Sequence, residues 1–240
     1  MSQVSYTFFT CPKPGIPSIN SPDDAAASAE HCLPHLIPLL PHHDAFLVAC
    51  YSQHPLVPIL KSECDKLVAE ATQNGSGARK NVLGIFEASV TTSLTLLAGA
   101  PSGHMFGIVS TGKIWEEALK TAVEEFLNMK THYRDGGGKF IGCETTGLSA
   151  VELHDLPAEE VRVKMVQATE KLARWGCQED AYKRKLAVVC LGCAGMVGLE
   201  EAVREGCVNV MGEAEGRKVS IVDGVKAGVG MLVALARGAF

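Results

Sequence analysis

Two cysteines stand where a thiol could act on a ligand. Cys50 closes the apolar run DAFLVAC and is followed by Tyr51 and Ser52, while Cys193 follows LAVVCLG and precedes Ala194 and Gly195. Each run gives way to a turn of small residues and then to a helical segment. Each thiol is therefore expected at the carboxyl end of a strand, where open α/β sheets bind their ligands. Two thiols facing one cleft suit the inversion of a carbon next to a carbonyl, which needs a base on one face and an acid on the other. A thiol can take either part because its reference pKa of about 8.5 lies close to neutral. A helix N-terminus beside a thiol favours the thiolate. The first amides of such helices, around Tyr51 and Ser52 and at Ala194 and Gly195, are expected to be unpaired. They could hold a carboxylate or imide oxygen and the enolate left when the proton departs. Gly192 and Gly195 flank Cys193 and permit close approach of backbone to a ligand.

Other candidates have plainer readings beside the chemical ones. The chain has nine cysteines, and free cysteine is among the most buried residue types. On that ground Cys11, Cys32, Cys64, Cys143, Cys177 and Cys207 are taken as core or incidental thiols. Cys190 and Cys193 have a CxxC spacing, which leaves a thiol redox pair open; without a second pair it is weak evidence for zinc. Strand periodicity places Cys190 inside the strand and only Cys193 in the turn. None of the eight histidines falls in an HExxH or His-x-His spacing, and His42–His43 are expected in an exposed turn. His54, four residues after Cys50, is either a surface residue at a helix start or an imidazolium that lowers the thiol pKa. No metal site is expected, and no GxGxxG or GxxxxGK[ST] pattern supports a nucleotide cofactor.

Composition narrows the class. The 240 residues are 47% apolar and 20% charged, with a net charge of −5, which suits one large or two small α/β domains with a sizeable core. An acidic balance without a basic stripe argues against nucleic acid and anionic membranes. The longest apolar stretches, Leu186–Val197 and Val225–Ala236, are too short to span a bilayer. The opening MSQVSYTFFT lacks the charged and apolar regions of a secretory signal, so a cytoplasmic protein with reduced thiols is expected.

Short apolar runs alternate with longer amphipathic segments, the pattern of a mostly parallel sheet with helices on its faces. Strands are expected at Val4–Phe9, Asp44–Cys50, Asn81–Phe86, His104–Ser110, Phe140–Cys143, Ala187–Cys190 and Val219–Asp223. Helices are expected at Asp24–Leu40, with Ser21 or Asp23 as N-cap, and at Pro55–Ala71, Ser89–Leu97 and Ile114–Phe126. Further helices are expected at Ala158–Arg174, Leu199–Glu205 and Val225–Arg237. A loop with four prolines, Cys11–Pro22, and the glycines Gly136–Gly138 punctuate the chain.

The segments LVACYSQHPL (47–56), LGIFEASV (83–90), FGIVST (106–111), VVCLGCAGM (188–196) and VDGVKAG (222–228) together resemble the hydantoin racemase branch of the aspartate/glutamate racemase superfamily. The likeness extends over nearly the whole chain. It implies two pseudo-symmetric flavodoxin-like parallel-sheet domains with the active site between them. Residues 1–103 with 218–240 would form the first, on the Cys50 side, and 104–217 the second, on the Cys193 side. It implies cofactor-independent two-base proton transfer on a small-molecule substrate, with Cys50 and Cys193 at the positions of the catalytic cysteines. Tyr51, Ser52, Glu87, Ser110, Thr111, Ala194 and Gly195 fall in the segments that line the family's pocket. Family members open on a strand ending in an Asn-Pro-Asn-Ser/Thr loop, and this chain starts near the second strand of that pattern, so the first domain is expected to lack one strand. A homologue that binds a ligand without turning it over is the rival reading. No seam for a homo-oligomer is legible.

Overall fold

The computed structural model describes residues 4–73, 78–128, 138–177 and 184–238. Its centre is a sheet of four parallel strands in the order β4-β3-β5-β6. These are β3 (His104–Ser110), β4 (Phe140–Thr145), β5 (Lys185–Gly192) and β6 (Ser220–Asp223). β3 is buried along nearly its whole length, as a strand covered on both faces must be. The period-2 alternation of side chains then assigns the faces. Met105 and Val109 enter one core cluster with Ile141, Met165, Leu172 and Val203. Phe106 and Ile108 enter another with Phe86, Trp115, Leu119 and Cys190.

The helices between the strands cover these two faces. α4 (Ile114–Phe126) links β3 to β4, α6 (Ala158–Trp175) links β4 to β5, and α7 (Glu200–Met211) links β5 to β6. Single turns α5 (Glu152–Asp155) and α8 (Glu213–Gly216) precede α6 and follow α7. A smaller parallel pair, β1 (Ala45–Val48) with β2 (Asn81–Gly84), is joined through α2 (Leu56–Gln73). α3 (Ile85–Leu96) leaves β2 without a loop and packs on β5 and β6. α9 (Gly224–Gly238) lies against α3, β1 and β2. It sits close because a Cβ on Gly228 would come within 2.5 Å of the Leu47 side chain. Residues 220–223, expected with the first domain, are thus hydrogen-bonded into the four-strand sheet beside β5, while α9 returns to the two-strand side.

Several expectations need correction. Val4–Phe9 forms no strand, and Tyr6 and Phe8 are 60% and 94% exposed. β1 pairs with β2 and with no other described strand, so this apolar segment has no ladder, and an extended segment without one is marginal in water. The helix expected to run to Leu40 ends at Leu36: α1 (Pro22–Leu36) passes into a 3-10 turn, Ile37–His42. Pro38 carries no N–H to continue the α-helical ladder. Ser21 is the N-cap, its side chain accepting the Asp24 N–H at 3.1 Å. The helix expected from Ser89 starts at Ile85 instead, with Gly84 as its N-cap. β3 and α4 have the expected bounds. Of the Gly136–Gly138 cluster, 136 and 137 lie outside the described residues.

Candidate active site

Cys50 sits two residues past β1, half-buried, with its Sγ 3.5 Å from the Ser52 hydroxyl. The Ser52 amide donates to the Cys50 carbonyl at 3.1 Å. That amide was expected to be available to a ligand and is instead spent in closing the turn. Tyr51 points away: its ring is buried edge-on to Phe86, and its hydroxyl lies 2.6 Å from the Ser89 Oγ on α3. His54 is 3% exposed, and its Nδ1 accepts the Leu56 N–H at 3.2 Å. It therefore caps α2, and the acceptor role leaves the ring proton on Nε2. Burial lowers its pKa. Neither expectation for His54 holds, because it is neither on the surface nor an imidazolium that could draw the thiol's pKa down.

Cys193 follows β5 directly and is the N-cap of the short 3-10 turn Ala194–Met196. Its Sγ accepts the Gly195 N–H at 3.4 Å, and its carbonyl accepts the Met196 N–H at 3.1 Å. Ser110, at the end of β3, is buried and donates to the Gly192 carbonyl at 2.7 Å. A Cβ on Gly192 would lie 2.7 Å from the Ser110 Cβ and 2.8 Å from the Val109 carbonyl. Only glycine lets the two strand ends close up before the chain turns to Cys193. Thr111 is buried too, and its carbonyl accepts the Gly147 N–H at 3.0 Å. Ala194 is half-buried against the cluster around Phe106.

Glu87 stands in the first turn of α3 and folds back on its own helix. Its Oε2 occupies the space where a Cβ on Gly84 would be 2.2 Å away. Burial raises its pKa, opposed by backbone N–H bonds from Glu87 and Gly84 and by the charge of Lys61. The carboxylate thus takes the position of a capping-box glutamate, three residues after a glycine N-cap. The buried Oε2 has no hydrogen-bond partner among the described residues.

Both thiols are held protonated. Burial pushes Cys50 up to about 11; the Ser52 hydroxyl opposes the shift, and the charge of Cys193 adds to it. Burial also raises Cys193, against the Gly195 N–H. The thiolate-favouring helix field expected at both positions is weak here. α2 begins at Leu56 and α7 at Glu200, and such a field fades within about one turn. Among the described residues no cation influences either thiol, whereas Cys64 and Cys207 feel Lys80 and Arg204.

His154 on α5 was not foreseen. A side-chain carbon on Gly195 would meet the His154 Nε2 at 3.0 Å and the Cys193 Sγ at 3.6 Å, so the imidazole borders the Cys193 turn. In sequence it stands alone in VELHDL, with no ligand or triad spacing to mark it. Cys190 is fully buried on β5 with its Sγ 3.1 Å from the Ser93 Oγ, a setting that disfavours thiol exchange. Among the described residues no group of three or more His, Cys, Asp or Glu could hold a metal, and no helix is long and apolar enough to cross a membrane.

The fold and these two turns define a parallel α/β protein that presents a thiol at the end of a strand from each of its sheets. The chain belongs to the Asp/Glu/Hydantoin racemase family, whose model matches residues 1–232. It is 30% identical over 235 residues to the Schizosaccharomyces pombe protein C1F7.10, covering 98% of this chain and 80% of that one. It is 26% identical over 207 residues to protein DCG1 of Saccharomyces cerevisiae, covering 83% of this chain and 73% of that one. Among solved structures it resembles allantoin racemase from Klebsiella pneumoniae, with a TM-score of 0.61 at 21% identity over 96% of this chain and 75% of the other. At that identity the likeness concerns the fold.

Proposed function

We propose that this protein is a cofactor-independent racemase or epimerase that inverts a carbon next to a carbonyl, with Cys50 and Cys193 as its two acid/base groups. The observation that carries this reading is the placement of two half-buried thiols, Cys50 just past β1 and Cys193 directly after β5, with the charge of Cys193 bearing on the ionisation of Cys50. Two thiols from distant parts of the sequence are near enough to sense each other, each just beyond the end of a parallel strand. The cleft would lie between the end of β1, which carries Cys50, and the end of β5, which carries Cys193. One thiolate takes the proton from carbon on one face, and the opposite thiol returns a proton on the other face. Repulsion between like charges makes a second ionisation costly. Once one thiol has ionised, the other therefore keeps its proton, which is the state a two-base reaction requires.

The substrate class follows from the charges. Aspartate and glutamate bring carboxylates that call for a cationic partner, and among the described residues no cation acts on either thiol. A neutral cyclic ureide such as a hydantoin or allantoin places its acidic C–H between a nitrogen and a carbonyl without adding charge to a dry site. We therefore favour that class over free amino acids. Ser52, Thr111, Ala194, Gly195 and His154 are the groups we assign to its polar edges, and Ser110, Glu87 and Tyr51 to support of the turns.

The test follows optical rotation and α-proton exchange in deuterium oxide for hydantoins, allantoin, aspartate and glutamate. Wild-type protein is expected to racemise a ureide. Cys50→Ser and Cys193→Ser are each expected to lose racemisation while still exchanging the proton of one enantiomer. Wild-type racemisation by either variant refutes the two-base reading. The rival, a binding protein without turnover, draws on the protonated state of both thiols. It predicts ligand binding with neither racemisation nor exchange.

A further inference from the structure

Beneath the two turns runs a buried ladder of polar side chains in which neither Cys50 nor Cys193 takes part. Tyr51, the residue after Cys50, places its hydroxyl 2.6 Å from the Ser89 Oγ. Ser89 itself donates to the Phe86 carbonyl at 2.9 Å, so the tyrosine must be the donor of the pair. One turn along α3, Ser93 donates to the Ser89 carbonyl at 2.8 Å. Its oxygen is then the acceptor for the Cys190 thiol at 3.1 Å. Burial raises both Tyr51 and Cys190, so both keep the protons these roles demand. Ser89, Ser93 and Cys190 are 0% exposed and Tyr51 is 5% exposed. The Cys190 Sγ also lies 3.9 Å from the Ser89 carbonyl, so both of these partners are on α3, and the whole ladder is closed off from solvent.

We propose that this ladder is a strut that sets the separation of the two acid/base thiols, with Tyr51, Ser89, Ser93 and Cys190 as positioning residues. It rests on the two-thiol reading above. One end is covalently adjacent to Cys50, and the other lies three residues before Cys193 on β5. α3 is the rigid member between them. Its serines need no contact with substrate, because they act through the turns they brace. Proton transfer is sensitive to such bracing: displacement of a reacting group by about 1 Å can cost on the order of a hundredfold in rate.

The two ends of the strut serve opposite faces of the substrate, and the test exploits that. Tyr51→Phe keeps the ring and removes only the donor. Cys190→Ala removes the donor at the far end, whereas Cys190→Ser keeps one. α-Proton exchange of each enantiomer is followed in deuterium oxide alongside kcat and KM. Tyr51→Phe is expected to lower kcat roughly tenfold or more with KM within about twofold, and to slow exchange of the enantiomer served by Cys50 more than the other. Cys190→Ala is expected to reverse that bias, and Cys190→Ser to restore the wild-type ratio. The enantiomer each thiol serves comes from Cys50→Ser and Cys193→Ser in the same assay. If those two variants are inactive in racemisation but Tyr51→Phe and Cys190→Ala keep the wild-type kcat and exchange ratio, the strut is overturned and the two-thiol reading stands. Equal slowing of both enantiomers also overturns it, since general loosening of the fold favours neither face. Racemisation by Cys50→Ser or Cys193→Ser overturns both proposals. Ser93→Ala provides the far-end arm should Cys190→Ala fold poorly, with the same bias expected.

Discussion

Raising the pH should activate this protein, and burial sets how far the rise extends. Burial pushes Cys50 up to about 11, and no cation among the described residues offsets the loss of solvent. At pH 7 the thiolate fraction of such a group is on the order of one in ten thousand; at pH 9 it is about one in a hundred. If the free enzyme's thiolate is the base, kcat/KM for a neutral ureide should climb about tenfold per unit, or roughly a hundredfold between pH 7 and pH 9. Stability sets the upper limit. A folded-state thiol pKa above the unfolded value means that the native protein holds protons the unfolded chain has released. Below about 8.5 this costs nothing, and stability falls as the pH rises towards the folded values of about 11 at Cys50 and Cys207. Initial racemisation rates by polarimetry, with melting curves at each pH, separate the two effects. A profile that is flat from pH 7 to pH 9, or that levels off near pH 7, would show a preformed thiolate and refute the claim that burial governs the thiol.

Two further outcomes follow from close contacts. Gly192→Ala puts a methyl within 2.8 Å of the Val109 carbonyl, which cannot yield as a side-chain tip can; overpacking of this kind costs about 1–3 kcal/mol. For a chain of this size that lowers Tm by roughly 2–12 °C, and racemisation should fall further than stability because the strand end carrying Cys193 is displaced. An unchanged Tm by calorimetry would contradict it. His154 is exposed at the border of the Cys193 turn, so His154→Ala should leave Tm unchanged while KM for a ureide rises about 2–10-fold, the worth of one hydrogen bond. An unaltered KM and kcat would remove His154 from the site.

What could be read from sequence was what local pattern determines. β3 and α4 match their expected bounds because HMFGIVS holds an apolar run between a polar residue at each end and IWEEALKTAVEEF carries helical periodicity. Cys193 was separable from Cys190 by strand register alone, and the structure puts Cys190 against Ser93 and Cys193 beyond the strand. Val4–Phe9 has a strand's composition, yet a strand is completed only by a neighbour, and pairing is a non-local fact. The α1 break is legible at Pro38, whose missing N–H stops the α-helical ladder although the apolar residues continue to Leu40. Glu87 illustrates a different limit: the motif around it marks a pocket segment, but its carboxylate is turned back to Gly84.

The thiols expose the same divide most sharply, because position and ionisation come from different sources. Strand ends place Cys50 and Cys193, and that much follows from two apolar runs. Their ionisation depends on how far each helix lies from the thiol and on what buries it. In both respects tertiary packing reversed the local expectation. A site with protonated thiols and no cation is poor at extracting a weakly acidic proton. It suits one whose acidity the substrate already supplies through a flanking imide. In such a site Ser52 and Gly195, which already bond to the two sulfurs, stabilise whichever thiol becomes the anion, so neither direction of proton transfer is strongly favoured. On the two-thiol proposal, near-equivalence of the two faces would come from burying two like groups together rather than from activating one.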